Sequence, residues 1–130
     1  MKDLNLKLKK DILAFCFEDS ADLLSIECIV SSFFKSKEES KEKTLQVLQI
    51  LLDENLVQAG WALKDGSFKH WNAKSDEIMK EIKKKWDKID RELLLGDIVW
   101  FILTEKGKKE FEFLNRLPEL KETDPFYFDD

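Results

Sequence analysis

Residues 98–103 read Ile-Val-Trp-Phe-Ile-Leu, six apolar side chains in a row with no charge among them. Three β-branched and two aromatic residues in so short a run favour a strand. A strand with one wet face alternates apolar and polar residues. This one does not, so burial on both faces is expected. Gly96-Asp97 signals a turn just before it, and Thr104 just after it is a helix N-cap, because a short side-chain oxygen accepts an orphan backbone amide. The rest of the chain must therefore cover a short central strand. With 130 residues and 43% apolar types, one domain with a filled core is expected rather than disorder.

The covering material is helical. Leu8, Ile12, Phe15 and Cys16 recur on one face of a first helix running from residue 2 or 3 to residue 18. Residues 4–9 alternate like a strand, so its first turns stay open. Asp19 or Ser20 caps a second helix with the stripe Leu23, Ile26, Val30, Phe33 and Phe34. A third helix starts near Glu39 or Ser40 and runs to about Glu54. Its apolar face is Leu45, Leu48, Leu51, Leu52 and Leu56, and its polar face is Lys41, Glu42, Gln46, Gln49 and Asp53. Residues 56–61 read as a short strand, Asp65-Gly66 as a turn and residues 68–71 as a second strand. Ser75 caps a fourth helix, with Asp76 and Glu77 in its first turn and Ile78, Ile82, Trp86 and Ile89 in its stripe. A fifth follows Thr104, carries Phe111, Leu114 and Leu117 on one side, and stops at Pro118. The expected class is α+β, helix-rich, with a small antiparallel sheet. Residues 1–118 form one domain and residues 119–130 an acidic, aromatic C-terminal tail.

Charge is unevenly placed. The formal net charge is −5, and residues 110–130 alone carry seven acids against two bases, so residues 1–109 balance. Twenty of the 22 bases are lysines; only Arg91 and Arg116 offer the planar fork that reads guanine and clamps phosphate. An acidic end suits a basic partner or simple solubility. The run Lys83-Lys84-Lys85, with Lys80 and Lys88, is the basic cluster, suited to phosphate, to an acidic partner or to this chain's own tail, or serving as a soluble helix face.

Chemistry-bearing patterns are sparse. One histidine, His70, cannot supply a close zinc pair, and Cys16 and Cys28 lie near apolar stripes where inert, buried thiols are expected. The carboxylate pairs Glu38-Glu39, Asp53-Glu54, Asp76-Glu77 and Asp129-Asp130 sit in polar stretches or caps, not in the apolar settings that separate two pKa values. Four glycines, none clustered, make no phosphate loop. No catalytic residue, metal ligand or cofactor site is expected, and the chain is read as a non-enzyme. Two cysteines, no apolar run of bilayer length and no apolar stretch in residues 1–10 point to a cytoplasmic protein without a membrane partner. The four tryptophans are expected in the core; exposure of Trp61 or Trp71 would turn that reading toward a binding surface.

Two local patterns carry a resemblance. Residues 51–57, Leu-Leu-Asp-Glu-Asn-Leu-Val, look like a recognition helix running into a first wing strand. Residues 101–107, Phe-Ile-Leu-Thr-Glu-Lys-Gly, are similar to a last wing strand turning into a C-terminal helix. With the order of elements, they resemble the winged-helix fold in its MarR- or PadR-like versions. Residues 61–100 are similar to a group of uncharacterised bacterial winged-helix proteins whose wing is widened by a tryptophan-bearing helix, with Gly-Asp-Ile-Val-Trp at residues 96–100. About 36 residues separate Trp61 from Ile98, far beyond a hairpin loop of about 2–5, so a wing that enters a minor groove does not follow.

Two functions are open. In the first, the chain binds a basic protein, as the immunity protein of a toxin system does. The tail would supply Glu122, Asp124, Asp129 and Asp130 as charges and Phe126 and Tyr127 as anchors. In the second, a homodimeric transcription regulator reads DNA through Lys41, Lys43, Gln46 and Gln49 of the third helix. Glu42, Asp53 and Glu54 on the same helix repel phosphate, so nucleic acid is the disfavoured partner.

Overall fold

The computed structural model describes residues 5–18, 20–34 and 37–118. Asn5 opens the first helix: its Oδ1 accepts the backbone amides of Lys7 and Leu8 at 2.9 and 3.1 Å. α1 spans Leu6–Glu18, shorter than the sequence pattern suggests. There follow β1 (Ala21–Asp22), α2 (Leu23–Ser31), α3 (Lys37–Asp53), β2 (Val57–Ala62), β3 (Phe68–His70), α4 (Ser75–Lys88), β4 (Trp100–Leu103) and α5 (Glu105–Asn115). The strands form one antiparallel sheet in the order β1-β4-β2-β3. Val57 pairs with Leu103 and Gly60 with Trp100, while Gly60 also opposes His70 across β3. The protein is α+β and helix-rich, with α4 inserted between β3 and β4.

β4 is flanked by β1 and β2, as a central strand should be, but it starts two residues later than its apolar run. Ile98 sits at φ 68°, and the Val99 amide donates to the Asp97 carbonyl at 2.7 Å, so a tight three-residue turn occupies the start of the run. Burial on both faces is also only partial. Phe101 and Leu103 are buried, whereas Trp100 and Ile102 are half-buried.

β1 was not signalled, because two residues leave no periodicity. It changes the cap of α2. Asp22, not Asp19 or Ser20, accepts the Ser25 amide at 3.3 Å through Oδ1, and its Oδ2 accepts the Gly96 amide at 2.7 Å. Asp22 is only 1% exposed and ties the start of α2 to the turn before β4. Phe15 is another correction: it is exposed, and Leu13 joins Leu8, Ile12 and Cys16 in the core instead.

The two stretches that carried the resemblance meet in space. α3 ends with Asn55 at φ 58°, the Asn55 amide on the Leu52 carbonyl and the Leu56 amide on the Leu51 carbonyl, both at 3.0 Å. That double bond pattern satisfies the last carbonyls of the helix and aims the chain into β2. Thr104 then closes on this corner. Its amide donates to Leu56 O at 3.0 Å, its hydroxyl donates to Asn55 O at 2.6 Å, and its Oγ1 accepts the Gly107 amide at 2.9 Å as the cap of α5. A Cβ on Gly107 would meet Leu56 O at 2.0 Å. Beside the corner, the Lys9 ammonium reaches Glu54 at 3.3 Å and Glu110 at 3.4 Å, joining α1, α3 and α5. The buried apolar residues form one cluster from Leu8 to Leu114. Among the described residues, no helix is long and apolar enough to cross a membrane.

Candidate functional site

The stripe of α4 needs a dry surface, and α3 provides it. Ile78, Met79, Ile82 and Trp86 are buried. Around them, polar groups of the two helices close the seam. Lys41 forms an ion pair with Asp87 at 2.8 Å and lies 5.4 Å from the centre of the Trp86 ring. Asp87 also accepts Lys83 at 2.9 Å. Hydrogen bonds from Lys41 and then Lys83 hold the Asp87 carboxyl below its ordinary range. Gln49 Nε2 donates to Asp53 at 2.9 Å and to Asp76 at 3.4 Å. Ser75 was expected to cap α4. Instead Lys74 holds the cap position without a side-chain bond, and the Ser75 hydroxyl donates across the seam to Asp53 at 2.6 Å.

The four residues proposed to read DNA are thus not presented together. Lys41 and Gln49 are engaged with α4. Lys43 lies 5.7 Å over the Phe34 ring beyond α2. Gln46 is half-buried, and its Oε1 is buried with no hydrogen-bond partner among the described residues. The tail residues Glu122, Asp124, Phe126, Tyr127, Asp129 and Asp130 lie outside the described residues.

Two surface features flank the seam. At the lower end of α3, a cleft of about 440 Å³ opens between β2, the end of β3 and the start of α4. Apolar Leu52, Val57 and Ile78 line it together with the hydrogen-bonding Asn55, His70 and Asn72. On the hairpin, Trp61 is 37% exposed and meets Trp71 edge-on, with ring centres 6.0 Å apart. The Lys85 ammonium sits 5.5 Å from the Trp61 ring and 5.3 Å from the Trp71 ring, an arrangement in which the negative ring faces attract the cation. Glu81 pairs with Lys85 at 3.7 Å, and Leu63 beside the hairpin turn is 45% exposed. The exposure of Trp61 corrects its expected place in the core. Trp86 is buried as expected, and Trp71 and Trp100 are half-buried.

The cysteines divide. Cys16 is buried, and desolvation pushes its thiol up to about 12, which keeps it protonated and unreactive. Cys28 is exposed on α2, not buried. Among the described residues, no group of three His, Cys, Asp or Glu side chains is placed to hold a metal ion.

Sequence reasoning missed the seam. The signal was present in the stripe of α4, since Ile78, Ile82 and Trp86 demand a partner surface and the polar face of α3 is bordered by Leu45 and Leu52. Comparison of the chain with protein-family models, with curated proteins and with solved structures gives no match.

Proposed function

We propose that this chain is a cytoplasmic, non-enzymatic binding protein of winged-helix type whose partner is a basic protein, in the manner of an immunity protein that masks a cationic toxin. The observation that carries the reading is the seam. Lys41 is neutralised by Asp87 and Gln49 is spent on Asp53 and Asp76, so two of the four side chains that would read DNA are already engaged. The acid surplus of residues 110–130 and the scarcity of arginine support the same choice of partner. The element order, with α3 leading into β2 and β4 into α5, supports the winged-helix assignment.

Affinity capture from the source cell tests it, with the full chain as bait beside a variant carrying Glu122→Gln, Asp124→Asn, Asp129→Asn and Asp130→Asn. The expected result is one basic protein retained by the first bait and lost from the second. Retention of nuclease-sensitive DNA by both baits would favour the homodimeric regulator instead.

A further inference from the structure

The insertion between β2 and β4 runs against the charge of the whole chain. Residues 63–99, between the two strands, carry nine bases and eight acids in a protein of net charge −5. Several of those acids are already engaged: Asp65 by Ser67, Asp76 by Gln49, Glu81 by Lys85, and Asp87 by Lys41 and Lys83. Lys64, Lys69, Lys80, Lys84 and Lys88 are exposed and form no ion pair among the described residues. The exposed Trp61 at the end of β2 and Leu63 just after it border the insertion, with Lys85 between the two tryptophan rings. β3 is moreover the outermost strand of the sheet. Its bonds to β2 flank the pair, Leu63 amide to Ser67 carbonyl and Trp71 amide to Ala59 carbonyl, so alternation turns the backbone groups of Phe68 and His70 away from β2. Cations, an exposed ring and a strand edge with no backbone partner among the described residues together fit an extended acidic segment with aromatic side chains.

The sequence contains one such segment. Residues 119–130 hold five acids, one lysine and the run Phe126-Tyr127-Phe128. Twelve residues reach up to about 40 Å when extended, well beyond the radius of about 18 Å that a radius of gyration of about 14 Å implies, so the segment can run far over the surface from Pro118. We infer that residues 119–130 dock in cis on the insertion, across the Trp61–Lys85 patch and the exposed lysines of α4 and the hairpin. The partner-binding end of the molecule is then held by its own lysines until a more basic surface displaces them. Docking of this kind does not depend on who that partner is, and it weakens with salt.

Zero-length carbodiimide cross-linking of the full chain tests the inference, with light and ¹⁵N-labelled protein mixed in equal parts so that links within and between chains separate by mass. The expected links join Glu122, Asp124, Asp129 or Asp130 to Lys64, Lys69, Lys84 or Lys88 within one chain. Their yield should fall at least threefold in 0.5 M salt and at least about threefold in the exposed-site variant Trp61→Ala. Links chiefly to Lys106, Lys108 and Lys109, links only between chains, or no links from residues 119–130 would each overturn it. No partner enters this readout, so failure of the proposed function and failure of the docking remain separable.

Discussion

α3 is held at its C-terminal corner and along its flank by opposite means. At its C-terminal corner, backbone meets backbone: Gly107 lies against Leu56 O, and Thr104 bonds to both Asn55 and Gly107. Along its flank, side chain meets side chain: Trp86 and Ile82 supply area, and Lys41 and Asp87 close the rim. The corner therefore depends on what is missing from a residue, and the flank on what is present. Adding one methyl should injure the first. Removing a ring should injure the second. A segment attached by area and rim charges can be rebuilt without disturbing the corner.

Substitutions can break or sharpen this contrast. The largest effect is expected from Trp86→Ala, because truncating a buried tryptophan costs about 3–5 kcal/mol; urea denaturation followed by circular dichroism reads it. Gly107→Ala comes next. Alanine is the better helix former by about 1 kcal/mol, yet overpacking against Leu56 O, at about 1–3 kcal/mol, should reverse the sign and leave a net loss of up to about 2 kcal/mol. A stabilised Gly107→Ala protein would break the contrast outright. Thr104→Ala removes the cap of α5 and the bond to Asn55, for a loss of about 1 kcal/mol in the same assay.

The smallest effect concerns pH. The Asp87 carboxyl is lowered in the folded chain by Lys41 and Lys83. Its contribution is therefore complete above the unfolded carboxylate range, near pH 4, and disappears as pH falls through the lower folded value. The protection of α4 amides, taken relative to their intrinsic exchange rate at each pH, should fall in that acid window for the wild type. An Asp87→Asn chain should lack that step, and exchange at Thr104 and Gly107 should not share it.

The corner was legible in the sequence because its devices are local. Asn55 after a leucine-rich helix and Thr104 three residues before Gly107 each leave a mark within one turn. The expected strands at β2 and β3 hold for the same reason, with β-branched and aromatic residues around an Asp65-Gly66 turn. What failed was non-local. β1 is two residues long and exists only because Phe101 and Trp100 lie opposite it. Ile98 looks like a strand residue but sits at positive φ, a conformation imposed by the turn that Asp97 and Gly96 build. Ser75 carries a capping side chain, yet Asp53, 22 positions earlier, takes its hydroxyl. Likewise Lys41 and Gln49 read as free side chains until α4 brings Asp87 and Asp76 beside them.

That engagement is most directly tested by titrating fluorescent duplex DNA with the full chain and with a Lys41→Ala, Gln49→Ala variant, at 50 and 150 mM salt. Engagement of Lys41 and Gln49 with α4 predicts no saturable binding at 150 mM, and any weak binding at 50 mM, carried by the lysines of α4, unchanged in the variant. Saturable binding at 150 mM that the double substitution weakens tenfold or more would contradict it, because those two side chains would then be reaching DNA and not Asp87, Asp53 and Asp76.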